Sequence, residues 1–239
     1  MIFLYKNRGE TPLQALVRLR IEQPELAVET LSYAGRLDPM AEGIIPVLVG
    51  KEENQNRQDF LKKDKEYEAQ FLIGCATDTF DVLGLITKSD FKKIEEEKIY
   101  SALNSLVEIT EQVYPWYSSK TVDGIPLFEY ARKGNLNIDR PSRSIKIYSV
   151  SDIKVLEVNT KDLITQNILD IQKVEGDFRQ SESADSWNML LDKIPDNVQI
   201  MSCVLKVSSG TYIRSLTENL EKELDVPVVL QKLVRTKVF

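Results

Sequence analysis

An aspartate wedged between Leu37 and Pro39, bracketed by Gly35 and Gly43 and followed at once by an apolar run, limits this chain more than any other feature. Pro39 biases Asp38 towards extended backbone and stops a helix from running through it. The two glycines supply the freedom a loop needs to double back. Residues 44–49, Ile-Ile-Pro-Val-Leu-Val, read as a buried strand. One carboxylate is thus displayed on a stiff loop that leads into the core, as binding and catalytic groups often are. Taken alone, a Gly-x-Leu-Asp-Pro segment is also an ordinary turn.

The chemistry open to that carboxylate is narrowed by an absence. Among 239 residues there is no histidine, which removes Ser-His and Cys-His nucleophile pairs, histidine bases and the common zinc sites. Cys75 and Cys203 lie far apart in apolar surroundings and read as buried free thiols in a reducing compartment. No apolar run approaches the roughly 18–20 residues of a membrane span, and the N-terminal apolar stretch is too short for a signal peptide. The expectation is a cytoplasmic protein with no membrane partner.

A net charge of −6 argues by itself against nucleic acid. The distribution weakens that objection. Residues 120–146 hold six basic and three acidic residues, whereas residues 161–199 hold eight acidic and four basic ones. Much of the negative charge therefore lies in one segment, which need not touch such a partner.

Along the chain, residues 2–5 are strand-like. Thr11 and Pro12 make a helix start, with Leu13, Leu16, Val17 and Leu19 as its apolar face, ending before Pro24. Residues 52–63 read as a helix and 67–73 as a strand whose Tyr67, Ala69 and Phe71 alternate with Glu68, Gln70 and Leu72. Residues 90–107 read as a helix capped by Ser89 or Asp90, with Ile94, Ile99, Leu103 and Leu106 apolar. Strands are expected at 145–158 and 198–207, then a helix with Ile213, Leu216, Leu220 and Leu224 on one face. Residues 161–197 are acidic and lack regular periodicity. They read as an insertion, either a partly helical excursion or a mobile flap, and most simply as a solvated surface elaboration.

Residues 33–50 resemble the catalytic motif of the TruB family of RNA pseudouridine synthases, a loop close to G-x-x-G-x-L-D-P-x-A-x-G followed by a strand V-L-P-V-x-x-G. Gly35, Leu37, Asp38, Pro39, Ala41, Gly43, Pro46 and Gly50 match in order and spacing. Lys65-Glu66-Tyr67 resembles the family's K-x-Y, and residues 76–84 its R-T-D-T-x-D-x-x-G, with Ala76 in place of the arginine. Residues 115–120 are similar to P-x-x-S-A-x-K, 128–134 to Y-x-x-A-R-x-G, and 208–214 to S-x-G-T-Y-I-R. Ser32-Tyr33-Ala34 stands where the family usually has G-H-T.

The resemblance implies the pseudouridine synthase fold: an α+β domain on a central, largely antiparallel mixed sheet, flanked by helices and crossed by an RNA-binding cleft. Residues 1–239 would form one catalytic domain with the insertion at about 161–197, lacking the C-terminal RNA-binding domain that many members carry. The implied reaction isomerises a uridine, in bacterial-type members the T-loop uridine of tRNA. It needs no cofactor and no metal, and its partner is RNA, the tRNA T-arm, met by a monomer.

By the same resemblance Asp38 is the catalytic aspartate, as nucleophile or proton-transfer carboxylate, and Arg214 its expected ion-pair partner. Tyr67 is expected to stack on an extruded uracil and assist proton removal from C5, or else to be an ordinary core tyrosine. Tyr33 takes the place of the histidine that fills the gap left by the flipped base. Arg36, Leu37 and Tyr212 are expected to line the substrate site. Lys120, Arg132, Lys133 and Arg143 are candidates for phosphate contacts, or solvated charges. Asp78 and Asp81 invite a metal or glycosidase reading, but Thr-Asp-Thr is more simply a turn bonding its own backbone. A non-catalytic, tRNA-folding binder and a carboxylate hydrolase of small nucleosides are the competing functions.

Overall fold

A computed structural model describes residues 1–239, the side chain of Asp192 excepted. Seven strands make its main sheet: β1 (Ile2–Lys6), β2 (Leu31–Tyr33), β3 (Ala41–Val49), β4 (Lys65–Ile73), β5 (Ile147–Asn159), β6 (Asn197–Val207) and β7 (Val228–Val238). The spatial order is β1-β3-β7-β4-β6-β5, with β2 also on β3. Every pairing is antiparallel except the short β3–β7 contact. This is the largely antiparallel mixed sheet expected, but the sequence reading stopped short of β7, which lies at its centre.

The alternation of side chains across β4, β6 and β7 divides the interior in two. On one face Tyr67, Ala69, Phe71, Met201, Cys203, Leu205, Val228 and Leu230 pack with three helices: α1 (Pro12–Glu22), α2 (Glu96–Ser105) and, across the chain, α5 (Thr217–Leu224). On the other face Leu72, Ile200 and Val229 meet α3 (Thr160–Gln172) and α4 (Gln180–Leu190). Cys75 and Cys203 are buried and unpaired, and burial pushes the Cys203 thiol up to about 12.

Residues 160–196 are therefore no solvated elaboration. Ile164, Ile171 and Trp187 are fully buried and close over Leu72, Val229 and Met40. Burying each such side chain contributes about 1.5–3 kcal/mol. The buried ion pair Arg8–Asp170 (2.9 Å) and reciprocal amide bonds between Asn167 and Gln231 fasten α3 to β7 and to the turn after β1.

Several boundaries moved for identifiable reasons. Thr11 caps α1 as expected, within a reciprocal capping box with Gln14, but the buried face is Pro12, Ala15, Leu16 and Leu19, while Leu13 and Val17 face water. The helix expected from 90 begins only at Glu96, because the Gln199 amide bonds both backbone groups of Ile94 (2.8 and 2.9 Å) and holds that segment extended. The helix expected over 52–63 is two short ones, Gly50–Gln55 and Arg57–Leu61, broken at Asn56.

Gly43 sits where β1, β3 and β7 converge, opposite Lys6 on one side and Arg235 on the other. Its φ is +113°, and a Cβ there would lie 2.3 Å from the carbonyl oxygen of Arg235. Gly43→Ala is expected to lower the unfolding free energy by about 3 kcal/mol or more, since backbone strain and steric overlap add. Urea unfolding followed by tryptophan fluorescence measures it.

Candidate active site

The Asp38 loop is a hairpin held open. β2 and β7 share one side of β3: Val47 pairs with Tyr33, and further along Gly43 pairs with Arg235. Residues 34–40 arch over that gap, with the Arg235 guanidinium in its mouth. Arg235, 1% exposed, donates from Nε to the Ile44 carbonyl (2.6 Å) and from Nη2 to the Gly35 carbonyl (3.1 Å). From the other edge Lys6, wholly buried, donates from Nζ to the carbonyls of Pro39 (3.1 Å) and Ala41. Gly9 N–H bonds Pro39 as well (2.9 Å), and Met40 is sunk in the second core. Every one of these bonds satisfies a carbonyl that a loop leaving the sheet would otherwise strand.

Held this way, Asp38 meets Arg214. Arg214 Nε donates to Asp38 Oδ2 at 2.8 Å; the guanidinium side chain is 5% exposed and the carboxylate 44%. The remaining guanidinium nitrogens are bound in turn: Nη1 donates to the Thr79 carbonyl (2.9 Å) and Nη2 to that of Tyr117 (2.8 Å). A buried guanidinium with all three edges occupied has a fixed plane, and it presents a permanent charge to a half-open carboxylate. The expected Asp38–Arg214 pair forms across 176 residues of sequence. Beside it Asp38, Met40, Asp81, Leu230 and Leu233 line a small, shallow depression.

The Thr-Asp-Thr turn behaves as its sequence suggests. Thr77 Oγ1 donates to the Asp81 carbonyl (2.7 Å), Leu85 N–H to Asp78 Oδ1 (2.8 Å), and Thr79 Oγ1 and Leu83 N–H to Asp81 Oδ1 (2.8 and 3.1 Å). Burial pushes the Asp81 carboxyl above its ordinary range, while the nearby Arg214 charge pulls the other way.

Around this centre lie the other anticipated residues. Tyr67 and Leu37 are buried in the same large core cluster as Ile213, the residue before Arg214, and neither is hydrogen-bonded to Asp38 or Arg214. The Tyr212 ring centroid is 5.6 Å from the Arg214 guanidinium and stacks edge-on with Tyr114. Burial, then the Asp38 charge, raises the Tyr212 phenol. Arg143 packs under Gly210, whose φ is +77° and whose absent Cβ would overlap the guanidinium; Arg143 donates to the Ser209 carbonyl (3.0 Å). Lys120 lies 5.3 Å over the Tyr114 ring. Arg36, exposed, donates to Ser119 (2.8 Å), and Tyr33 is half-buried, its carbonyl accepting from Arg57 (3.2 Å). Two residues stand apart: Arg132 pairs with Asp177 (3.2 Å), and Lys133 faces Glu129 one turn back (3.8 Å).

Sequence reasoning missed Lys6, Arg235, Arg179 and Tyr117. Lys6 was findable, because it falls on the inward side of the Leu4–Lys6 alternation. Arg235 was not, short of knowing that its segment is a central strand.

With this geometry in hand, the comparisons place the fold first. A solved Cbf5–Nop10–Gar1 complex superposes with a TM-score of 0.55 at 20% identity, over 99% of this chain and 48% of that one. A complex of H/ACA RNP with a substrate RNA containing 2'-deoxyuridine gives 0.51 at 20% identity, over 99% and 46%. These establish the pseudouridine synthase fold. Residues 24–175 match the TruB family pseudouridylate synthase (N terminal domain), and the chain belongs to that family. It is 29% identical to the tRNA pseudouridine synthase B of Lactobacillus johnsonii, over 99% of this chain and 67% of the relative. It is 32% identical to that of Limosilactobacillus reuteri, over 99% and 66%. The chain thus spans about two thirds of the length of these relatives.

Lys6 generates a pH dependence. Burial, opposed by nearby carboxylates, lowers its pKa to about 8, below the 10.5 of a free lysine. From about pH 8 upwards the unfolded chain then holds a proton that the folded chain has released, so stability rises with pH through this window. Urea unfolding between pH 8 and pH 10 is expected to show that rise, and Lys6→Met to lose part of it.

Proposed function

We propose that this chain isomerises a uridine in RNA to pseudouridine, with Asp38 as the reacting carboxylate and the T-loop of tRNA as its target. The reaction breaks the N1–C1′ bond, turns the freed base and rejoins C1′ to C5; C5 then gives up its proton and N1 carries one in its place, so the product is an isomer. It requires one ionised carboxylate next to the ribose and a site that keeps the base from leaving. The observation that carries the reading is the Asp38–Arg214 pair: an exposed carboxylate oriented by a guanidinium that has almost no water of its own.

Each part has a physical task. Arg214 fixes the direction of the free oxygen of Asp38, which removes reorientation from the reaction barrier. Tyr67, Leu37 and Tyr212 supply flat or apolar surface where a base taken out of its stack recovers contact. Lys120, Arg143 and Arg36 border the same mouth and suit backbone phosphates. Arg132 and Lys133 contribute at its rim only after leaving their carboxylate partners. The synthase works as a monomer in the cytoplasm, on a folded T-arm.

The test is T-arm RNA treated with wild type, Asp38→Asn and Arg214→Lys, with pseudouridine scored by carbodiimide-dependent primer-extension stops. Wild type is expected to give a single stop in the T-loop and Asp38→Asn none. Arg214→Lys, which cannot reach all three acceptors, is expected to lose about a hundredfold in rate or more. No stop above the Asp38→Asn background on any tRNA would reduce the chain to an RNA binder, and release of uracil from free uridine would make it a hydrolase.

A further inference from the structure

The helical excursion between β5 and β6 reaches the catalytic centre through one side chain. Arg179, just ahead of α4, forks onto Asp78: Nη1 to Oδ2 at 2.7 Å and Nη2 to Oδ1 at 3.2 Å. Both side chains are 25% exposed, so this is not a freely solvated surface pair of the kind that contributes little. The guanidinium also lies 4.7 Å over the Tyr117 ring, and the Tyr117 hydroxyl donates to the same Asp78 carboxylate (3.1 Å). Cation, carboxylate and phenol form one closed group.

That group stands directly behind Arg214. The two carbonyls that hold the Arg214 terminal nitrogens belong to Tyr117 and to Thr79, the neighbour of Asp78. Arg179 thus braces both: Tyr117 through its ring and hydroxyl, Thr79 through the adjoining carboxylate. The backbone of Arg179 adopts φ +59° and ψ +37°, a left-handed conformation disfavoured for a residue with a side chain and sustained only where surrounding structure demands it. The following helix is pinned to the same turn. Ser183 Oγ and Trp187 Nε1 donate to the carbonyls of Gly84 (3.1 Å) and Val82 (2.9 Å), and Ser186 Oγ accepts from Ile86 N–H (3.0 Å).

We propose that Arg179 is a positioning residue for the Asp38–Arg214 pair, clamping Asp78 and Tyr117 so that the carbonyls of Thr79 and Tyr117 fix the plane of the Arg214 guanidinium. The excursion, through this side chain, is then part of the catalytic apparatus and not a decoration of it. The inference rests on the assignment of Asp38 and Arg214 to the reaction. An error in the guanidinium plane misdirects the carboxylate in the transition state, while RNA bound across the mouth is held as before. The loss therefore belongs in kcat.

The experiment is steady-state kinetics on T-arm RNA for wild type, Arg179→Ala, Arg179→Lys, Asp78→Asn and the double variant Asp78→Asn/Arg179→Ala. Each is assayed well below its own unfolding midpoint. Arg179→Ala is expected to lower kcat by about ten- to hundredfold with KM within about twofold of wild type. Arg179→Lys, charged but without the fork, is expected to recover only part of the rate. The double variant should be no slower than the slower single variant, because both remove one shared interaction. If Arg179→Ala does not fold, Arg179→Lys and Asp78→Asn carry the same kcat-against-KM comparison. A wild-type kcat in Arg179→Ala, a loss confined to KM, or additive losses in the double variant would overturn the proposal. A wild type that makes no pseudouridine sinks both this inference and the function beneath it, whereas an active wild type with an undiminished Arg179→Ala sinks this one alone.

Discussion

Almost no water reaches the Arg214 guanidinium, and the arrangement around it follows from that. An ion of this size loses several kcal/mol of hydration on burial, recovered only if every donor finds an acceptor and a counter-charge lies close by. Three acceptors are supplied by three distant parts of the chain: the Asp38 loop, the Thr79 turn and the Tyr117 segment. Each must arrive for the cation to be tolerated, so burial makes the geometry collective. Arg235 and Lys6 repeat the logic beneath the loop, where their targets are main-chain carbonyls. Cations drawn inside the sheet thus define where an otherwise irregular loop can run.

How much of this was legible depended on whether the information was local. The helix start at Thr11 and Pro12, the strand over 67–73 and the stripe Ile213, Leu216, Leu220 and Leu224 are short-range patterns, and the structure bears them out. The Asp38–Arg214 pair is not local; only its resemblance to known motifs brought the two halves together. β7 escaped because its period-two pattern is shifted by irregularities at Leu230/Lys232 and Arg235/Lys237, so that Arg235 faces inward where a hydrophobic residue would be looked for. In the excursion, acidic surface residues hid a sound helical stripe: Ile164, Asn167 and Ile171 on α3, then Ala184, Trp187 and Leu190 on α4.

That stripe changes what the second face of the sheet is. Where α3 and α4 cover it, the strands present Leu72, Ile200 and Val229; beyond them the same face turns polar, with Glu66, Glu68, Lys206 and Lys237. The apolar patch and its helical cover match in extent, which ties the excursion to the sheet as closely as any other element. Met40 carries the coupling onward, since its side chain belongs to this second core while its backbone lies two residues past Asp38.

The central place of β7 has a consequence during synthesis on the ribosome. While its residues are still in the exit tunnel, β3 and β4 have already emerged with facing edges unpaired, the situation in which nascent β proteins are most exposed to wrong partners. Arg235 emerges with that strand. Until then the Gly35 and Ile44 carbonyls lack their donor, and the loop is held only from the β1 side, by Lys6 and the Gly9 N–H. The last strand to arrive therefore closes the sheet and completes the support of the loop together.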